Sequence, residues 1–516
     1  VRARRIGGTI AITVLAAPGA ARGTAQGPDI QPGMVAERVV SPSDSTQSYA
    51  VYLPISYRDT ARWPILFLLD PRGRALVPIQ LFRDAAERNG WILVSSYNSL
   101  SDGPAQPNAD AMNAMLSDAR ASFSLAHDRL YIGGFSGTAR LAWDFAAQLE
   151  GRVAGILGAS AGTGGAASLL TGPPARLAFF GTAGTLDFNH DEMLLFAKRL
   201  EAWELPHRVR IFPGPHQWPS PELASEALDW FDLQAMRRRL VPPDSVLVAR
   251  LFARDSTALA RSRAAGQWVD AVARAREIVT DFGGLRDTGA AAAELRELAD
   301  DGRVRAQVAR AEALIEEGRR RDRRLFEYLD RVRAMRQPPR PGDAIRELDI
   351  RGLQRLRGGP DTARALAAGR ALEQIFVAVS FYAPREFIAR GDPERALAML
   401  DVAESIRSEH PQVLLFRARA LAAAGRFEEA RAAVDAALRA GVTRQTIEGD
   451  SLLGPLVRPR RVPGAPVGTE ASIDAGRFAS RSRRVCFSAA YTLCSRELLA
   501  ASAASGRPPR LARRPR

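Results

Sequence analysis

The sequence predicts an α/β domain built on a doubly wound, mostly parallel sheet, followed by an all-helical region. Three observations carry this. Strand-like and helix-like segments alternate from about residue 35 to 238. Several of the strand-like segments are unbroken apolar runs, such as PILFLL (64–69) and LAFF (177–180), as parallel strands covered on both faces require. Beyond residue 246 nothing reads as strand, and a repeat with helical spacing appears instead.

The strands are expected at 49–53, 64–69, 91–96, 129–134, 153–158, 176–181 and 207–212. The intervening helices are expected at 80–89, 109–124, 138–149, 191–203 and 221–234. The α/β domain is therefore bounded at 35–238. Pro242-Pro243 then marks a linker over 239–246, and residues 247–455 form the helical region. Within it, GDPERALAMLDVA begins at Gly391 and GRFEEARAAVDAA at Gly425, 34 residues on. Ala396, Leu400 and Ala403 correspond to Ala430, Val434 and Ala437. This resembles the tetratricopeptide repeat, in which small residues at fixed places let paired helices approach closely. The resemblance covers residues 375–441 and implies a surface for a peptide or protein partner. Pro384 departs from it, falling inside the would-be first helix. An irregular helical bundle is the alternative.

The formal charge of +15 invites a nucleic-acid reading, but its location argues against one. Residues 457–516 carry +10 and residues 1–30 carry +3, which leaves +2 for the body between them. A nearly neutral body is a poor nucleic-acid groove. Residues 456–516 are Arg-, Pro-, Ser- and Ala-rich without periodicity and are expected to be disordered. Residues 1–25 run basic, apolar, then small. The apolar stretch 6–17 is too short to span a bilayer, which takes about 20 residues, and fits a secretory signal. Export to the periplasm or beyond is expected, with no membrane span. Both cysteines, Cys486 and Cys494, lie in the tail, so the domains do not rely on disulfides. No metal-ligand cluster or dinucleotide fingerprint stands out, and no cofactor is expected.

The chemistry concentrates in YIGGFSGTAR (131–140), where a strand gives way to a helix around Ser136. A serine at such a turn is lifted above the sheet edge, and the helix's first N–H groups face a developing oxyanion. Gly134 and Gly137 keep the turn tight. A serine hydroxyl needs a base to become a nucleophile. Of five histidines, His127 precedes the serine's strand, His207 begins a strand and His410 lies in the helical region. His190 and His216 remain, and His216 follows a strand in the loop PGPHQWP. One strand earlier, GTLDFNHDEM places Asp187 after its strand, while Asp191 precedes an apolar-periodic run and reads as a helix N-cap.

The order Ser136, Asp187, His216 resembles the α/β-hydrolase superfamily. The similarity is to bacterial esterases of the polyhydroxybutyrate-depolymerase, feruloyl-esterase and phospholipase/carboxylesterase type, and it covers residues 35–238. It rests on GFSG (134–137), G-x-x-D-F-N (184–189) and H-Q-W-P (216–219). The resemblance implies a nucleophile at Ser136, a general base at His216 and an orienting acid at Asp187. It also implies an oxyanion site from the amides of Gly137 and Arg72. Tyr97, Asn98 and Trp218 are candidates for the substrate pocket, with Trp218 equally suited to packing the histidine loop. Two positions depart from the pattern. Thr138 stands where G-x-S-x-G ends in Gly, and LLDPRG (68–73) replaces LLHG, with Asp70 unexplained. A serine carboxylic ester hydrolase with a helical-repeat appendage is thus the leading expectation. A peptidase of the same fold and a non-catalytic binding protein are the alternatives. No long insertion indicates a lid.

Overall fold

The computed structural model describes residues 30–149, 151–164 and 177–457. The expected signal and nearly all of the expected disordered tail lie outside these. The described part falls into two compact units, divided between Glu316 and Glu317.

The first unit opens with β1 (Val35–Val40), β2 (Ser48–Tyr52) and β3 (Trp63–Leu69), then α1 (Leu76–Asn89) and β4 (Ile92–Ser96). There follow α2 (Gln106–Ser122), β5 (Leu125–Phe135), α3 (Gly137–Gln148) and β6 (Val153–Ala159). The sheet part closes with β7 (Phe179–Gly184), α4 (His190–Ala202), β8 (His207–Phe212) and α5 (Pro221–Arg237). The eight strands lie in the order β1-β2-β4-β3-β5-β6-β7-β8. β2 is antiparallel to both β1 and β4, and β3 to β8 are parallel. This is the doubly wound, mostly parallel sheet expected. β1 is an addition to the expected strands, and β7 starts three residues later than predicted.

The apolar runs explain the two-sided burial. In β3, Ile65, Phe67 and Leu69 join the core beneath α2, α3 and α4, with Met112, Trp143 and Phe196. Leu66 and Leu68 join the opposite core beneath α1 and α5, with Phe82, Trp230 and Phe231. Strand order reverses between β3 and β5. Such a switch point opens a crevice outside the strands' carboxyl ends, and here it lies between the loop after β3 and the turn carrying Ser136.

The linker expected at 239–246 is not a domain boundary. The first unit continues through α6 (Ser245–Ala264), α7 (Trp268–Phe282), α8 (Gly289–Asp300) and the start of α9 (Gly302–Ala334). The reason is electrostatic. On β8, Arg208 is fully buried and bonds Asp281 at 2.7 Å on α7 and Asp255 at 2.5 Å on α6. Arg210 makes a two-pronged pair with Glu277 on α7, at 2.7 and 2.8 Å, and bonds Glu226 on α5. A buried guanidinium needs its carboxylates, so α6 and α7 complete the sheet's last edge.

The second unit continues α9 and adds α10 (Pro341–Glu347), α11 (Ile350–Arg357), α12 (Thr362–Val377), α13 (Ala383–Ala389) and α14 (Pro393–Ile406). It ends with α15 (Pro411–Ala423), α16 (Phe427–Arg439), α17 (Arg444–Glu448) and α18 (Gly454–Val457). The repeat positions Ala396, Leu400, Ala403, Ala430, Val434 and Ala437 are all buried in its core. Gly391 and Gly425 both take φ of 74° in the turns entering α14 and α16, a left-handed conformation suited to glycine. Pro384 does not end the helix around it. A π turn at Ala378–Tyr382 joins α12 to α13, and its wider winding accommodates a proline that lacks an N–H and crowds the preceding turn. Among the described residues no helix is long and apolar enough to cross a membrane.

Candidate active site

Ser136 sits between β5 and α3 with φ 56° and ψ −127°, a strained conformation costing on the order of 1–3 kcal/mol. The turn around it has no slack. A Cβ on Gly134 would lie 2.5 Å from the Thr138 carbonyl group. The Ser136 amide is held by the Ala159 carbonyl at 2.8 Å. Thr138 is buried, and its hydroxyl lies 2.5 Å from the Leu69 carbonyl and 2.9 Å from that of Phe135. Threonine at the last elbow position therefore ties the start of α3 to the end of β3, where glycine could not. The Gly137 amide opens α3 and has no partner within the helix.

The acid and histidine loops are zipped together by their backbones. The Thr185 and Leu186 amides donate to the carbonyls of Phe212 and Gly214 at 2.8 and 2.9 Å. Gly184 leaves no room for a side chain, since a Cβ there would stand 2.3 Å from the Gly214 oxygen. This contact brings Asp187 and His216 together, with His216 Nδ1 2.9 Å from Asp187 Oδ1. Asp187 is fully buried. The same oxygen accepts the Asn189 amide at 2.8 Å, and Oδ2 has no hydrogen-bond partner among the described residues. Asn189 fixes the loop further by donating to the Ser160 carbonyl at 2.7 Å. The imidazole lies between two rings, with centroids 4.2 Å from Phe188 and 4.7 Å from Phe135. Ser136 Oγ and His216 Nε2 make no hydrogen bond to each other.

Four expectations need correction. Asp191 is not a helix N-cap; Asn189 holds that place, and Asp191 lies in the first turn, 2.7 Å from His190 Nδ1. The Arg72 amide is not available to an oxyanion, because it donates to Asp70 Oδ1 at 2.9 Å. Tyr97 and Asn98 turn toward the β1–β2 edge instead of the serine. The Tyr97 hydroxyl donates to the Glu37 carbonyl at 2.6 Å, while Asn98 Oδ1 accepts the Ser48 amide at 2.9 Å. Trp218 packs against Phe135 and Phe82, and its indole N–H donates to Asp70 Oδ2 at 3.0 Å.

Asp70 is thereby explained. It is fully buried at the end of β3, with both oxygens on the Arg74 guanidinium at 2.9 Å. Burial alone would push its carboxyl up, but hydrogen bonds from Arg74, Trp218 and the Arg72 amide hold it below the ordinary carboxylate value. It ties the loop after β3 to the histidine loop. Phe188, Ser160 and Asp70 were absent from the sequence-predicted site. Phe188 had a signal, its place directly after the acid in GTLDFN.

A family model described as a tetratricopeptide repeat matches residues 387–446. No curated protein matches the chain. Solved structures similar to it include the fluorophosphonate-binding serine hydrolase F of Staphylococcus aureus. That structure is 17% identical, with 39% of this chain and 98% of that one covered and a TM-score of 0.32. The S-formylglutathione hydrolase of the same organism is 18% identical, with 39% and 98% covered and a TM-score of 0.31. Esterase 2 of Thermogutta terrifontis is 13% identical, with 42% and 99% covered and a TM-score of 0.32. Likeness at this level assigns no role to any residue.

Proposed function

We infer that the chain is a serine hydrolase that cleaves carboxylic esters through an acyl-enzyme. The observation that supports this most is the Asp187–His216 pair at 2.9 Å, on the loops after β7 and β8 of a sheet whose β5 ends in the strained Ser136. Ser136 Oγ attacks the ester carbonyl as His216 Nε2 takes its proton. His216 then gives that proton to the leaving alcohol, and the acyl group passes to water by the same steps. Asp187 holds Nδ1–H and stabilises the imidazolium. Phe135 and Phe188 keep the ring in one plane. The Gly137 amide, at the positive end of α3, faces the developing oxyanion. The repeat at 387–446 serves a peptide or protein partner in this reading, and residues 1–25 direct export.

The purified protein should hydrolyse p-nitrophenyl acetate, and Ser136→Ala should reduce turnover to the uncatalysed background. A Ser136→Ala variant as active as the parent would contradict the assignment.

A further inference from the structure

One part of the proposed site is short of donors. The loop after β3 would ordinarily contribute a backbone N–H to the oxyanion, yet its amides turn away. Pro71 has none. The Arg72 and Arg74 amides lie 2.9 and 3.3 Å from Asp70 Oδ1, and the Gly73 amide donates to the Asp70 carbonyl at 3.1 Å. Asp70 cannot release them cheaply. It is fully buried and also held by Arg74 and Trp218. Among the described residues of this loop and the serine turn, the Gly137 amide is then left as the oxyanion's one expected donor.

The side chain beside Gly137 is Ser101, in the loop after β4. A Cβ built on Gly137 would stand 2.6 Å from Ser101 Cβ and 3.5 Å from its Oγ. Glycine at 137 is thus required by Ser101 as well as by the turn. The Ser101 backbone is fixed. Its amide donates to the Pro71 carbonyl at 3.0 Å, and buried Asn108 clamps both polar groups of Leu100 at 2.9 Å. Among the described residues the hydroxyl itself is engaged only by Asp102 Oδ2, at 2.7 Å. Asp102 is exposed and takes φ of 57°, strain of the kind that gathers at functional sites. A hydroxyl rotates freely about its C–O bond, and an exposed carboxylate loses little when water replaces its donor.

We propose that the Ser101 hydroxyl is the second oxyanion donor, a proposal that rests on the serine-hydrolase reading above. As Ser136 Oγ bonds to the carbonyl carbon, the C=O π pair moves onto oxygen. Ser101 O–H leaves Asp102 and hydrogen-bonds that oxygen without transferring its proton. When the intermediate collapses, the pair returns to re-form C=O. The C–O bond to the leaving group breaks, and the alcohol departs with the proton from His216.

The test compares Ser101→Ala and Asp102→Ala with the parent in three readouts: p-nitrophenyl acetate kinetics, the rate of Ser136 labelling by a fluorophosphonate, and thermal melting. Removing one oxyanion donor lowers kcat by about 10²–10³-fold. Ser101→Ala should therefore lose about that factor in kcat, with KM changed by less than about threefold and an unchanged melting temperature. Asp102→Ala, which frees the hydroxyl, should match or exceed the parent. A Ser101→Ala enzyme within about threefold of the parent in kcat, with Ser136 labelled normally, overturns the role of Ser101 and leaves the hydrolase reading intact. A folded parent whose Ser136 is not labelled overturns the hydrolase reading and this proposal with it.

Discussion

Asp187 and Asp70 are two fully buried carboxylates on the same edge of one sheet, and each holds a residue of the segment His216-Gln217-Trp218. Among the described residues Asp187 takes the imidazole of His216 and a single amide, and pairs with no arginine or lysine. Asp70 takes the indole of Trp218, two amides and a whole guanidinium. In the proposed reaction the difference separates a catalytic carboxylate from an architectural one. A carboxylate already neutralised by arginine has little left to offer a passing positive charge. One that faces only an imidazole gains when the ring becomes a cation.

Four measurements break or sharpen this contrast. Asp187→Asn should lower kcat by about 10⁴-fold, because an amide favours the wrong imidazole tautomer, with little change in melting temperature. Steady-state kinetics beside calorimetry reads both. Asp70→Asn should do the reverse. It exchanges charge-assisted hydrogen bonds for neutral ones and should cost about 1.5–3 kcal/mol of stability, with a smaller loss of turnover. If Asp70→Asn abolishes turnover at full stability, the two roles have been exchanged. Trp218→Phe keeps the ring against Phe135 and Phe82 and removes one hydrogen bond to a charged carboxylate, for about 1.5 kcal/mol in urea unfolding. The smallest effect is in the acid limb of the stability profile. Asp70 is held below the ordinary carboxylate value in the folded chain, so it contributes stability above the unfolded value of 3.8. That contribution fades as pH falls through the lower folded value. Asp70→Asn should flatten the profile there, and an unchanged acid limb would contradict the tether.

How much of this was readable beforehand follows from where each signal lies. Strands such as β3, β4 and β6 announce themselves because both their faces are apolar. β1 does not, since VAERVV is a partly exposed edge strand with a register shift between Ala36 and Val39. The positions of Ser136, Asp187 and His216 directly after β5, β7 and β8 were legible from their order along the chain. The fate of the Arg72 amide was not, because an aspartate two residues earlier captures it only once the loop closes. The helical boundary was misread for a similar reason. Asp255, Glu277 and Asp281 look like solvated faces of α6 and α7, and Arg208 and Arg210 like the wet side of HRVRIF. Their mutual burial joins them, so the 35–238 stretch is completed by the helices that follow it. Tolerance of Pro384 likewise depends on a π turn that no periodicity records.

Covalent labelling tests the central claim most directly. The folded protein should be incubated with a fluorophosphonate, digested and mapped by mass spectrometry. A serine activated by His216 and Asp187 predicts one adduct, on Ser136, absent after prior denaturation and lost in His216→Ala. A cooperatively folded protein that carries no adduct on Ser136 would contradict the account.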